Sequence, residues 1–115
     1  MTSFLEGGWI LSGSYQGGEE LAIRLTDREL LEAELGITIG RHSDLCDHVV
    51  DEPSVSRRHL RVSLRAGGLS VEDLNSLNGT LLGGKDIPAF VECPVEAGQR
   101  LGLGHLEFQL IRIAD

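Results

Sequence analysis

Leu60-Arg61-Val62-Ser63-Leu64-Arg65-Ala66-Gly67-Gly68-Leu69-Ser70-Val71 is the stretch that decides the fold class. Leu60, Val62 and Leu64 alternate with Arg61, Ser63 and Arg65, so an extended chain here is apolar on one side and polar on the other. Ala66-Gly67-Gly68 is a turn signal, and Leu69 and Val71 resume the alternation, which predicts a hairpin. The same pattern extends outward. Leu21, Ile23 and Leu25 share one side of Glu20–Leu25, while Leu101 and Leu103 alternate with Gly102 and Gly104, where missing side chains imply close packing or a bend. In the last segment Leu106, Phe108 and Leu110 share a parity and Ile111 and Ile113 take the other, so a bulge near Leu110 is expected. Short strands with frequent turns predict an all-β sandwich or barrel.

One segment dissents. Thr26-Asp27-Arg28-Glu29 matches a capping box, Leu30, Leu31 and Leu35 follow, and Gly36 stands where a helix would stop. A short helix near residues 27–35 is predicted.

The 115 residues fit one domain, and 41% hydrophobic content supplies a core. With only 4% aromatic residues that core must be aliphatic, and 15 glycines imply many tight turns. A net charge of −8 argues against a general nucleic-acid or anionic-membrane surface, so any bound anion must be held by a local basic cluster. The longest apolar run is too short to cross a bilayer. Met1-Thr2-Ser3-Phe4-Leu5-Glu6 lacks the basic-then-apolar pattern of a secretory signal. Cys46 and Cys93 are too few for a disulfide framework, and a reducing cytoplasm is the expected location.

Nine of the ten basic residues are Arg, Lys85 being the exception. Arg41, Arg57, Arg58 and Arg61 cluster in a loop-like stretch where Pro53 blocks helix or central strand. A planar guanidinium suits phosphate because it donates two parallel hydrogen bonds, although surface arginines also serve plain solubility. Spacing adds what composition lacks. Gly40-Arg41 closes the strand Ile37-Thr38-Ile39, Ser56-Arg57-Arg58-His59 opens the next long strand, and Asn75-Ser76-Leu77-Asn78-Gly79-Thr80 follows the hairpin.

Together these resemble the forkhead-associated (FHA) domain, whose signature is Gly-Arg, then Ser-x-x-His, then Asn-Gly. The resemblance runs from about Trp9 to about Ile113. It implies an FHA-type β-sandwich of two twisted, mainly antiparallel sheets, whose loops at one end bind a phosphothreonine peptide. By resemblance Arg41 contacts the phosphate, Ser56 donates its hydroxyl to a phosphate oxygen, Arg57 reaches the same phosphate, and Asn78 holds the peptide main chain. Gly40 and His59 match structural positions, the His bracing the loops and the Gly permitting close approach. Asn78-Gly79 suits a turn needing positive φ at Gly79. The expected partner is a phosphothreonine-containing protein in Ser/Thr kinase signalling, bound by a monomer without cofactor, metal, nucleic acid or membrane.

A phosphate near pH 7 carries about −1.5 to −2 charges and three acceptor oxygens, which Arg41, Ser56 and Arg57 could saturate. A neutral His59 can donate from one nitrogen and accept at the other. Two positions depart from the family pattern. Leu77 stands where a small hydroxyl residue often adds a phosphate contact, and Ser76 beside it should point elsewhere. Ser54, two before Ser56, occupies a position that selects a peptide side chain in some relatives; short and uncharged, it gives little basis for choosing an acidic one. Arg58, Ser54 and Leu77 are therefore peripheral candidates.

Rival readings are weaker. Ser56 and His59 three apart in an extended segment would point to opposite faces, and no nucleophile elbow surrounds Ser56, which argues against a hydrolase and against enzyme activity generally. His42, Cys46 and His48 lack a second ligand pair for zinc; Cys46 reads as a buried small hydrophobe. Asn78-Gly79-Thr80 fits a glycosylation pattern without a secretory signal beside it, and Gly102-Leu103-Gly104 lacks the rest of a dinucleotide fingerprint. His105 reads as a partly exposed strand residue, and Glu19, Glu20, Asp27 and Glu29 as a solvated acidic face. The serious competitor is a phosphate-independent or self-associating module that uses a sheet face.

Overall fold

The computed structural model describes residues 7–15, 17–66 and 68–114; the N-terminal hexapeptide and Gly67 of the predicted turn lie outside them. The hairpin read from alternation is real. β5 (Leu60–Arg65) pairs antiparallel with β6 (Gly68–Asp73), from Leu60 opposite Asp73 to Arg65 opposite Gly68. It forms the middle of a five-stranded sheet with β3 (Ile37–Gly40), the parallel β4 (His48–Val49) and β9 (Cys93–Val95), in the order β4-β3-β5-β6-β9.

The second sheet has six strands: β1 (Gly8–Ser14), β2 (Glu20–Thr26), β7 (Thr80–Leu82), β8 (Lys85–Asp86), β10 (Arg100–Leu103) and β11 (Leu106–Ile113), ordered β2-β1-β11-β10-β7-β8. Leu11, Ile23, Leu25, Leu101, Leu103, Phe108 and Leu110 of this sheet pack against Ile37, Ile39, Leu60, Val62, Leu69 and Val71 of the other. The core is aliphatic apart from Phe108 and Trp9, as the composition requires.

Two expectations are corrected. No bulge interrupts β11: its pairing with β1 runs unbroken from Gly8 opposite Ile113 to Gly13 opposite Phe108. The inward row of Leu106, Phe108 and Leu110 is continued by Arg112 instead. Its guanidinium lies 5.2 Å from the Trp9 ring centroid and binds Asp27 through two bonds of 2.7 and 3.0 Å. An Arg can end an apolar row because its guanidinium stacks over the ring face while still bonding a carboxylate at the rim. Ile111 accordingly faces outward, 37% exposed, opposite Ile10.

The helix α1 (Asp27–Glu32) is also shorter than read. Thr26 caps it, its Oγ1 accepting from the Glu29 N–H at 3.0 Å. Only Leu30 is buried, and the chain leaves the helix at Ala33, so Leu31 and Leu35 stay exposed. Gly36, at φ +83°, makes the turn into β3.

The topology gathers several connections at one end of the sandwich. β3 ends there, β5 begins there and β6 ends there, because Ile39 pairs with Leu60 and Leu60 with Asp73. The β3–β4, β4–β5 and β6–β7 loops therefore share one rim.

Candidate functional site

Close approach comes first. A Cβ at Gly40 would collide with the Arg57 carbonyl oxygen and sit 2.8 Å from the Cys46 Sγ, so only glycine lets the β4–β5 loop lie against the end of β3. The loops are then laced together, the Arg41 N–H donating to the Ser56 carbonyl at 3.0 Å and the His42 N–H to the Arg57 carbonyl at 3.2 Å. The Arg41 Nε–H donates to the Val55 carbonyl at 2.9 Å, which fixes the guanidinium across the loop and leaves its terminal nitrogens for other acceptors.

His59 ties the rim together from beneath. It is 0% exposed. Its Nδ1 accepts from the Ser56 N–H at 3.1 Å, which makes Nε2 the protonated nitrogen that donates to the Gly79 carbonyl at 2.9 Å. One neutral imidazole thus joins the β4–β5 and β6–β7 loops. Burial holds its pKa below the ordinary histidine value, with the Gly79 bond and the Asp73 charge pulling the other way.

Ser56 and Asn78 face each other across these loops. The Ser56 Oγ accepts from the Leu77 N–H at 2.9 Å, so its own hydrogen is free to donate outward. The Asn78 Nδ2 donates to the Ser54 carbonyl at 2.9 Å, which leaves its carbonyl oxygen as an acceptor. Gly79 adopts φ +84°, as the Asn-Gly turn requires.

These groups line a cleft of about 400 Å³ with Pro53, Ser54, Val55, Arg57, Arg58, Asn75 and Leu77; the lining holds three guanidinium groups and no carboxylate. Elsewhere Arg61, Arg65, Arg100 and Arg112 pair with Glu72, Glu92, Glu107 and Asp27. Arg41, Arg57 and Arg58 have no carboxylate partner among the described residues. In a chain of net charge −8 this is a local positive field facing solvent.

Sequence reasoning missed two supports. Asp73 at the end of β6 is buried and accepts from the Ser76 Oγ at 2.5 Å, the Ser76 N–H at 3.0 Å and the Thr80 Oγ1 at 2.6 Å, shaping the β6–β7 loop from inside. The Asp73-x-x-Ser76 spacing before Asn-Gly was the available signal. Ser54, named above as a peripheral candidate for choosing a peptide side chain, is the second, in a supporting role instead. At 6% exposed, its Oγ meets the Glu52 carboxylate and accepts from the His105 N–H at 2.8 Å, so it props the β10–β11 turn under the cleft.

Other expectations change here. Residues 53–59 form turns rather than an extended segment, so Ser56 and His59 do meet, but through the Ser56 backbone N–H and not its hydroxyl. Cys46 is half-buried rather than buried and donates to the Arg57 carbonyl at 2.9 Å; burial pushes its thiol pKa up. His42 and His48, set aside above as zinc ligands, are separately engaged, the His42 Nδ1 by the Asp44 N–H at 3.2 Å and the His48 Nε2 by Glu29 at 2.7 Å. No group of three or more His, Cys, Asp or Glu suited to a metal occurs among the described residues. No helix among them is long and apolar enough to cross a membrane.

A basic cleft on the loop rim of a β-sandwich, lined by three guanidinium groups and a serine hydroxyl, is suited to holding an anion. The family model of the FHA domain matches residues 37–104, and the chain belongs to the FHA domain family, whose members are binding modules rather than enzymes. The FHA domain-containing protein FhaB of Mycobacterium tuberculosis is 33% identical over 85 residues, covering 74% of this chain and 54% of FhaB. The chain thus spans about half the length of the curated relatives it matches. Among solved structures, the FHA domain of the CT664 protein from Chlamydia trachomatis aligns with a TM-score of 0.73 at 22% identity over 93% of this chain and 99% of that one. An FHA domain studied for phosphothreonine-dependent interactions aligns with a TM-score of 0.69 at 26% identity over 90% and 95%.

Proposed function

We propose that this chain reads phosphothreonine in a partner protein and so recruits or scaffolds that partner in Ser/Thr kinase signalling, in the cytoplasm. The observation that carries the reading is the cleft with three guanidinium groups, a donor hydroxyl and no carboxylate. Arg41 grips the phosphate with its terminal nitrogens, Ser56 donates its hydroxyl, Arg57 reaches a third oxygen, and the Asn78 side chain holds the peptide main chain. A similar FHA domain is described by its phosphothreonine-dependent interactions, which supports carrying that ligand class to this one. All four groups come from one chain, so a monomer suffices.

The competing sheet-face reading has less behind it. On the outer face of the six-stranded sheet Ile10 lies opposite Ile111, with Ile113 two residues further along the same strand, while Arg24 stands on the other side of Ile10 and Gln109 precedes Ile111 on that face. Such an island is far smaller than a stable interface.

Titration with a degenerate phosphothreonine library, beside phosphoserine and unphosphorylated libraries, tests the reading. Selective retention of phosphothreonine peptides is expected. Equal binding of the unphosphorylated library would overturn it.

A further inference from the structure

The β8–β9 connection, Ile87-Pro88-Ala89-Phe90-Val91-Glu92, carries a feature that folding does not explain. Phe90 sits at φ +61°, a left-handed conformation that is strained for a bulky residue and cheap for Gly or Asn. Its side chain is nevertheless 63% exposed, and Val91 beside it is about half-exposed. Core packing, backbone preference and solvation all disfavour phenylalanine here. Strain held in place at an exposed aromatic points to use by a ligand. The position is fixed firmly: the Phe90 N–H donates to the Asp73 carbonyl at 2.8 Å, and Ala89 bridges Asp73.

Topology puts this residue on the binding rim. β9 runs antiparallel to β6, with Val71 opposite Cys93, so the chain just before β9 flanks the end of β6 where Asp73 shapes the Asn78 loop. Across the rim the strands follow as β3, β5, β6, β9, from Arg41 at one side to Phe90 at the other. Three strand spacings are about 14 Å, which an extended peptide covers in about four residues.

We infer that Phe90, with Val91, is a second contact for the phosphorylated partner, taking an apolar side chain about four residues from its phosphothreonine. The inference rests on the phosphothreonine reading above. Phe90 and Val91 alone are too small for a stable interface or for a second copy of this chain, but they suit an adjunct to a phosphate anchor on the same peptide.

The test uses peptides with a fixed phosphothreonine in which each flanking position carries Leu, Phe or Ser in turn, titrated against wild type, Phe90→Asn and Val91→Ser. Asn relieves the left-handed strain, so the fold is kept, which a melting curve verifies. In wild type one position should favour Leu or Phe over Ser by about tenfold. Phe90→Asn should reduce that preference below about twofold, leave the Ser peptide bound as before, and Val91→Ser should fall between. An unchanged profile in both variants, or a uniform loss for every peptide, overturns the inference while leaving phosphate-dependent binding standing. Binding by wild type that ignores the phosphate removes both readings.

Discussion

Replacing Arg41 tests the cleft most directly. Its Nε–H is committed to the Val55 carbonyl, so the phosphate can take only the terminal nitrogens, in about two charge-assisted bonds. Each is worth roughly 1.5–3 kcal/mol net, so Arg41→Ala should cost about 3–6 kcal/mol, or on the order of 10²–10⁴ in Kd. Arg41→Lys keeps a charge but loses the fork and the anchor to Val55. Its penalty should be about one such bond, roughly 10- to 150-fold. Fluorescence anisotropy with one labelled phosphothreonine peptide separates these values, provided salt is fixed, since exposed charges are screened. The fold should lose only about 1 kcal/mol with the Val55 bond, so melting curves remain close to wild type. If Arg41→Ala bound within about threefold of wild type, the assignment of the phosphate to this guanidinium would be wrong.

His59 gives a pH signature. The folded state disfavours its proton, so the stability contributed by neutral imidazole is complete above the unfolded value of 6.5 and is lost as pH falls from there toward the lower folded value. Urea denaturation at pH 7.5 and 5.5 should show wild type losing more stability than His59→Gln; equal losses would sink the account. Gly40→Ala should destabilise by about 1–3 kcal/mol and weaken phosphopeptide binding together, because the new methyl group displaces the Arg57 carbonyl. A melting temperature equal to wild type would count against it. Leu77, 89% exposed on the cleft rim, offers a gain: Leu77→Thr restores a hydroxyl and should tighten phosphopeptide binding about tenfold by calorimetry, with no gain for the unphosphorylated peptide. No tightening would place that side chain out of reach of the phosphate.

Much of this was legible because it depends on short-range rules. Alternation at Leu60–Val71 and the Thr26 cap act over a few residues, and both appear as read. The Arg41, Ser56 and Asn78 positions were legible only through order and spacing, and the structure brings all three to one cleft. What failed needed knowledge of distant neighbours. Arg112 ends the inward row of β11 only because Trp9 and Asp27 lie across from it, 103 and 85 residues away in sequence. The support role of Ser54 depends on His105, and β4, β7, β8 and β9, at two or three residues each, are too short to display alternation.

The bonds that hold Arg41, Ser56, Asn78 and His59 in place are internal to the protein and satisfied before any ligand arrives. A receptor prepared in this way has little left to rearrange and little ordering entropy to surrender on capture. It follows that occupancy carries almost no message into the rest of the sandwich. On the phosphothreonine reading proposed above, the domain would act as a socket, holding a marked partner in place for as long as the enzymes that add and remove the phosphate leave the mark on it.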